Sequence, residues 1–223
     1  LQKAVLPESE INPETLEKLE KEFDRQVENL INKGYAKAAE LSDKEFRKHI
    51  MPLKDKLRTL EGFEIITKEN HIPFVVVIKN KLASLDKQIL LMEVEESKKG
   101  FTGMNLSEIN DVDKLEIPDN LAYMIIDVEN GKEMQGKSVD DATELLEKQN
   151  RTGLTTEEGI ALIVQYPEIL KDHYIDLSGS RYRASYGVPV LELSEDGPAL
   201  YWSYSDIAYS EWGSASCGSR IGF

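Results

Sequence analysis

Ile72-Pro73-Phe74-Val75-Val76-Val77-Ile78-Lys79 decides the fold. The run is β-branched and of strand length, and it falls far short of the eighteen or so apolar residues of a membrane helix. Phe74-Val75-Val76-Val77 is continuous rather than alternating, which predicts a strand covered on both faces. Met124-Ile125-Ile126, inside a second run from Leu121 to Val128, has the same character. Two more runs of strand length stand at 63–67 and 89–94.

On the N-terminal side the period is helical. Asn12-Pro13 reads as an N-cap followed by proline in the first turn. Leu16, Leu19, Phe23, Val27, Leu30 and Ile31 then recur at three- and four-residue steps up to a stop at Gly34. Ser42 with Glu45 forms a capping-box pattern ahead of Phe46, Ile50, Leu53, Leu57 and Leu60, an apolar face bent near Pro52. Residues 12–61 thus read as a helical layer and 62–223 as an α+β body, with no evident linker between them. From Lys98 to Asn120 the pattern dissolves into a long connection. Ser138 can cap a helix carrying Val139, Ala142, Leu145 and Leu146. Thr155 with Glu158 makes a second capping box before a helix that Pro167 ends. Val188–Leu193 and Ala199–Tyr204 flank Glu195-Asp196-Gly197, a hairpin signal. The fold class expected is α+β: a mixed β-sheet with an N-terminal helical layer and a C-terminal β-hairpin segment.

Composition narrows the functions. With 223 residues and 40% hydrophobic content the chain can bury a substantial core. A formal charge of −14 argues against nucleic-acid binding and against docking on an anionic membrane. Leu1 to Glu10 holds no apolar block of the kind a signal peptide carries, although the sequence opens on Leu rather than Met. One cysteine forbids an internal disulfide, which fits a cytoplasmic setting. No motif assigns a cofactor. The apolar face of the N-terminal helices could pair with a second copy in a homodimer, although packing on the chain's own sheet is the default.

Several motifs recur in a consistent order: Phe23-Asp24-Arg25-Gln26-Val27, Ile72-Pro73-Phe74-Val75, Gly100-Phe101-Thr102, and Ala122-Tyr123 through Asp127-Val128-Glu129. Gly153-Leu154-Thr155-Thr156-Glu157-Glu158-Gly159, Gly179-Ser180-Arg181, Val188-Pro189 and Gly213 through Arg220 follow. On these residues most of the chain resembles a bacterial family catalogued as a domain of unknown function, number 5701. The resemblance implies no activity. Relatives carry a Trp-Cys-Trp run and an Asn-Pro-His-Thr-Trp segment where this chain has Trp202-Ser203-Tyr204 and Ile207-Ala208-Tyr209-Ser210-Glu211, so a second cysteine and a histidine are missing here.

The segment from Tyr174 to Phe223 holds both tryptophans and the cysteine, is rich in Tyr, Ser and Gly and poor in charge, and could line a site. Ser178-Gly179-Ser180-Arg181 could form an anion-binding loop, glycine freeing the amides and guanidinium gripping carboxylate or phosphate in a two-point fork; a plain surface turn is the alternative. Cys217, between small neighbours and near Arg220, could act as a nucleophile or be a small buried thiol. Asp127 and Glu129, two apart on a strand, could hold a divalent ion or face solvent at a turn. Trp202, Tyr204, Tyr209 and Trp212 could stack on a ligand or pack the hairpin. The expectation is a binding domain for a small anionic or aromatic ligand or a peptide end, with Ser178, Ser180, Arg181 and Arg220 as polar contacts and Trp202 or Trp212 as the wall. The alternatives are an enzyme using Cys217, or a metal-dependent enzyme using Asp127 and Glu129.

Overall fold

The computed structural model describes residues 11–60, 68–95, 98–183 and 186–223. The strand expected at 63–67 lies outside the described residues. Helix α1 (Pro13–Lys33) starts where expected: the Asn12 side chain accepts the Glu14 amide at 2.9 Å, and Gly34, with φ of 97°, turns the chain out of it. A short α2 (Tyr35–Ala38) leads to α3 (Asp43–Lys48), whose Ser42–Glu45 capping box is formed. The apolar face beyond it is broken rather than bent. The α-helix stops at Lys48, and a 3-10 helix, Met51–Thr59, carries Leu53 and Leu57 into the core, with Pro52 in its first turn.

Strand β1 (His71–Ile78) is followed by α4 (Leu85–Ile89), β2 (Glu93–Glu95), β3 (Lys98–Lys99), β4 (Phe101–Thr102), β5 (Ile109–Asp111) and β6 (Ala122–Glu129). Two expectations need correction here. The apolar run at 89–94 is divided between the end of α4 and β2, because six residues are too few to tell a helical turn from a strand. The connection from Lys98 to Asn120 contains three short strands, two or three residues each, below the length at which alternation shows.

The remaining elements are α5 (Val139–Lys148), β7 (Thr152–Gly153), α6 (Thr156–Gln165), α7 (Ile169–Asp172), β8 (Tyr174–Asp176), β9 (Ser180–Tyr182), β10 (Gly187–Ser194), β11 (Gly197–Tyr204), β12 (Trp212–Ser214), β13 (Ser216–Cys217) and β14 (Ser219–Ile221). Ser138 caps α5, the Thr155–Glu158 box caps α6, and Gly197, at φ 134°, closes the β10–β11 hairpin.

Among the described residues these strands make two large sheets. In the first, β6 lies between β1 on one side and β13 and β14 on the other, with β7 beyond β13; β1 and β6 run antiparallel, Phe74 opposite Ile126. Both are almost wholly buried, as their unbroken apolar runs predict. The second sheet is mixed, ordered β12-β8-β10-β11-β4, with β9 against β10 and β5 against β9. The fold is α+β.

Helix α1 lies along the outer edge of β1 and satisfies its backbone. The fully buried Gln26 side chain donates to Phe74 O and accepts from Val76 N, both at 2.9 Å, replacing the partners an edge strand lacks. The apolar face of α1 (Leu19, Phe23, Val27, Leu30) is spent on the chain's own core, which runs unbroken from these residues through β1, β6 and α6 to Cys217. A smaller cluster of Met134, Ala142 and Leu146 sits under α5. No helix among the described residues is long and apolar enough to cross a membrane.

Candidate functional site

The loop from β8 into β9 is pressed against β7. A Cβ on Gly153 would stand 1.8 Å from Ser178 Oγ and would displace that hydroxyl, and one on Gly179 would stand 2.5 Å from Gly153 O, where backbone leaves no room for a side chain. The Gly179 amide donates to Leu154 O and its carbonyl accepts from Val112 N, each at 2.9 Å. That amide is therefore not free for an anion, contrary to the expectation for this glycine. The loop instead aims side chains. Ser178, only 6% exposed, and Arg181 both line a cavity of about 520 Å³ between this loop, α5 and β7. The Ser178 hydroxyl has no partner among the described residues.

Arg181 is half-buried. Its Nη1 donates to Ser178 O at 2.8 Å and to Ser180 O at 2.9 Å, which fixes the plane of the guanidinium. Among the described residues Nε and Nη2 take no hydrogen bond and no carboxylate pairs with it. Burial lowers its pKa from the usual guanidinium value, and the field of Asp140 partly offsets this. The other two cations at the cavity are matched: Lys114 bonds to Glu147, and Arg151 to Asp127. Val112, Leu115 and Leu146 form apolar walls.

Ser180 points elsewhere. Fully buried, it donates to Asp111 Oδ1 at 2.8 Å and accepts from Thr156 N at 2.9 Å, tying β5 to the first turn of α6. Neither tryptophan lines the cavity. Trp202 packs on Tyr204 and Tyr182, with centroids 5.2 and 5.6 Å away, and Trp212 on Tyr209 at 4.5 Å. Arg220 is an internal partner rather than a ligand contact. Its Nε and Nη2 grip Glu158 at 2.6 and 2.8 Å, and Nη1 donates to Thr152 Oγ1 at 2.6 Å.

Cys217 does not meet the requirements of a nucleophile. It lies in β13 with no exposed surface, its sulfur 3.8 Å from Thr152 Oγ1. Burial pushes the thiol up to about 12, and Glu158's charge adds to this; Arg220's opposing pull is weaker. Small neighbours here permit close packing rather than access: a Cβ on Gly218 would already stand 3.3 Å from Asp127 Oδ2. Native protein is therefore expected to resist iodoacetamide at neutral pH and to react with one equivalent per chain only after unfolding, as mass spectrometry would show. Modification in the native state at the rate of free cysteine would contradict this burial.

Asp127 and Glu129 are likewise taken up by protein donors. Asp127 adopts a left-handed backbone, φ of 51°, and bridges His71 Nδ1 and Arg151. Burial pushes its carboxyl up, but His71 and Arg151 together hold it below the usual carboxylate range. Glu129, 1% exposed, accepts Gly131 N at 3.0 Å and Glu133 N at 2.9 Å, and burial raises it. Among the described residues no group of three or more His, Cys, Asp or Glu is arranged to hold a metal ion, so Asp127 and Glu129 have no further ligands of those types beside them there.

The bridge His71–Asp127–Arg151 is the feature the sequence did not reveal. Arg151 further donates to Ser216 Oγ at 2.9 Å and lines the large cavity, while His71 lines a second one of about 260 Å³ with His173. The partners stand 56 and 24 residues apart in the chain, with no motif joining them.

An α+β protein of two large sheets, with one guanidinium unpaired among the described residues at a cavity of about 520 Å³, is what fold and site define together. The chain belongs to the family of unknown function DUF5701, whose sequence model matches residues 29–223. Nothing matches among curated proteins or among solved structures.

Proposed function

We propose that this protein is a binding domain for a small organic molecule carrying a negatively charged group, held in the cavity between α5, β7 and the Ser178–Arg181 loop. One observation carries the proposal. Arg181 is half-buried and, among the described residues, makes no ion pair, feeling only the field of Asp140, in a chain with a large excess of acids. A desolvated charge is costly unless matched, and an anion arriving beside the unpartnered Ser178 hydroxyl would match it. The cavity is of the size that holds small ligands, with an apolar lining and few polar groups. Because both tryptophans lie elsewhere, the ligand's apolar part would face Val112, Leu115 and Leu146.

The test is calorimetry on the intact chain with carboxylates, phosphates, nucleoside monophosphates and short peptides. At least one compound is expected to bind, and Arg181→Ala to weaken it by about 10- to 100-fold, the value of a hydrogen bond to a charged group of about 1.5–3 kcal/mol. Arg181 lies outside the apolar core, so the variant should melt close to the parent. Binding that ignores Arg181→Ala, or no binding across the whole panel, would remove the proposal.

A further inference from the structure

Resting on that anion-binding site, we propose that the cavity selects an aliphatic monocarboxylate: one carboxylate on the free edge of Arg181 and on Ser178, and a hydrocarbon chain against Val112, Leu115 and Leu146. Three observations lead to this class. The first is shape. Both contacts of Arg181 with the protein use Nη1, so Nε and Nη2 present a single two-donor edge. That edge matches the two coplanar oxygens of a carboxylate, and the carbonyls behind Nη1 hold it in place beforehand.

The second is charge. Lys114 is matched by Glu147 and Arg151 by Asp127, which leaves the charge of Arg181 alone at this cavity. A phosphate monoester or a dicarboxylate would bring a second negative charge with no free cation to receive it, close to Glu147 and within the field of Asp140. The net charge of −14 works in the same direction. The third is the lining: the apolar walls are aliphatic, and exposed aromatic residues such as Trp202 and Tyr204 are not among the residues that line the cavity.

The shared chemistry has two sources, a free organic acid or the end of a peptide whose last residue is Leu or Val. Calorimetry on the intact chain would compare alkanoates from propanoate to octanoate, alkyl phosphates and alkanedioates of matched length, and a Leu-ended tripeptide with a free or an amidated terminus. Affinity for the alkanoates is expected to rise about fourfold per methylene until the cavity is full, which is the transfer value of a CH₂ group. Phosphates and diacids should bind at least about tenfold more weakly than the monoacid of equal length, a factor of ten corresponding to about 1.4 kcal/mol. Arg181→Lys keeps the charge but loses the two-donor edge, and it should lose about tenfold for carboxylates. A tripeptide acid that outbinds the alkanoates while its amide does not bind identifies the peptide source; the reverse order identifies a free acid; both support the assignment. Alkyl phosphates that bind as well as the alkanoates and still need Arg181 would overturn the monocarboxylate while leaving the anion site standing. Failure of every anion, or indifference to Arg181, would remove both.

Discussion

Arg220→Ala is expected to cost about 3–5 kcal/mol of unfolding free energy, because it leaves a buried carboxylate without its counter-charge. Glu158 is fully buried and Arg220 nearly so, with side-chain exposures of 0% and 5%. Glu158 also accepts the Tyr123 hydroxyl and the Thr155 amide, both at 2.8 Å, so the same carboxylate caps α6 and joins it to β6 and β14. Replacing the pair together, as Glu158→Leu with Arg220→Met, should recover much of the loss, since an apolar pair of similar volume avoids desolvating two charges. The comparison is made by urea melts of parent, single and double variants. A single variant within about 0.5 kcal/mol of the parent, the range of ordinary surface changes, would show that the pair does not tie these elements together.

The second large effect depends on pH. Asp176, 4% exposed, has no hydrogen-bond partner and no counter-charge among the described residues; across the strand pair its neighbour Ser214 also has a buried hydroxyl without a partner. Burial alone raises this carboxyl from 3.8 to about 7. The folded state therefore takes up a proton between pH ~4 and ~7 that the unfolded chain does not. The stability from this group is fully present below the unfolded pKa and is lost as pH rises through the folded one. Asp176→Asn removes that titration. Relative to the parent, the variant should gain stability as pH goes from 5 to 8, by up to about 3 kcal/mol, since about two pH units of this interval lie below the folded value, at about 1.4 kcal/mol per unit. Paired denaturant melts across that interval measure the difference, and a difference that stays flat with pH would show that Asp176 has another partner in solution.

Local chemistry made much of the fold legible. Asn12, Ser42, Ser138 and Thr155 each cap the helix their spacing announces, because the cap bonds fall within a few residues of one another. The apolar runs of β1 and β6 announce buried strands since both of their faces are covered. What could not be read joins distant residues. Glu158 and Arg220 stand 62 positions apart, and neither residue type signals the other. The same limit explains the site. Ser178 and Arg181 stand three residues apart and both line the cavity; its other walls come from α5, β7 and residues 112–115, which no spacing rule brings together. Cys217 misled for a physical reason as well. Small residues serve flexible turns and tight strand contacts equally, and here the contact prevails.

The order of the last strands carries a consequence for how the chain comes to be made. Strand β12 completes one sheet beside β8, and only two residues later β13 and β14 cover the second edge of β6 in the other. During synthesis that edge, Met124 to Glu129, must wait nearly a hundred residues for its cover, and an uncovered apolar strand edge is a template for aggregation. The sheet that holds β12 is complete once residue 214 has left the ribosome and the one that holds β6 only at residue 221, so a nascent chain halted between the two holds one finished sheet and one with an open edge.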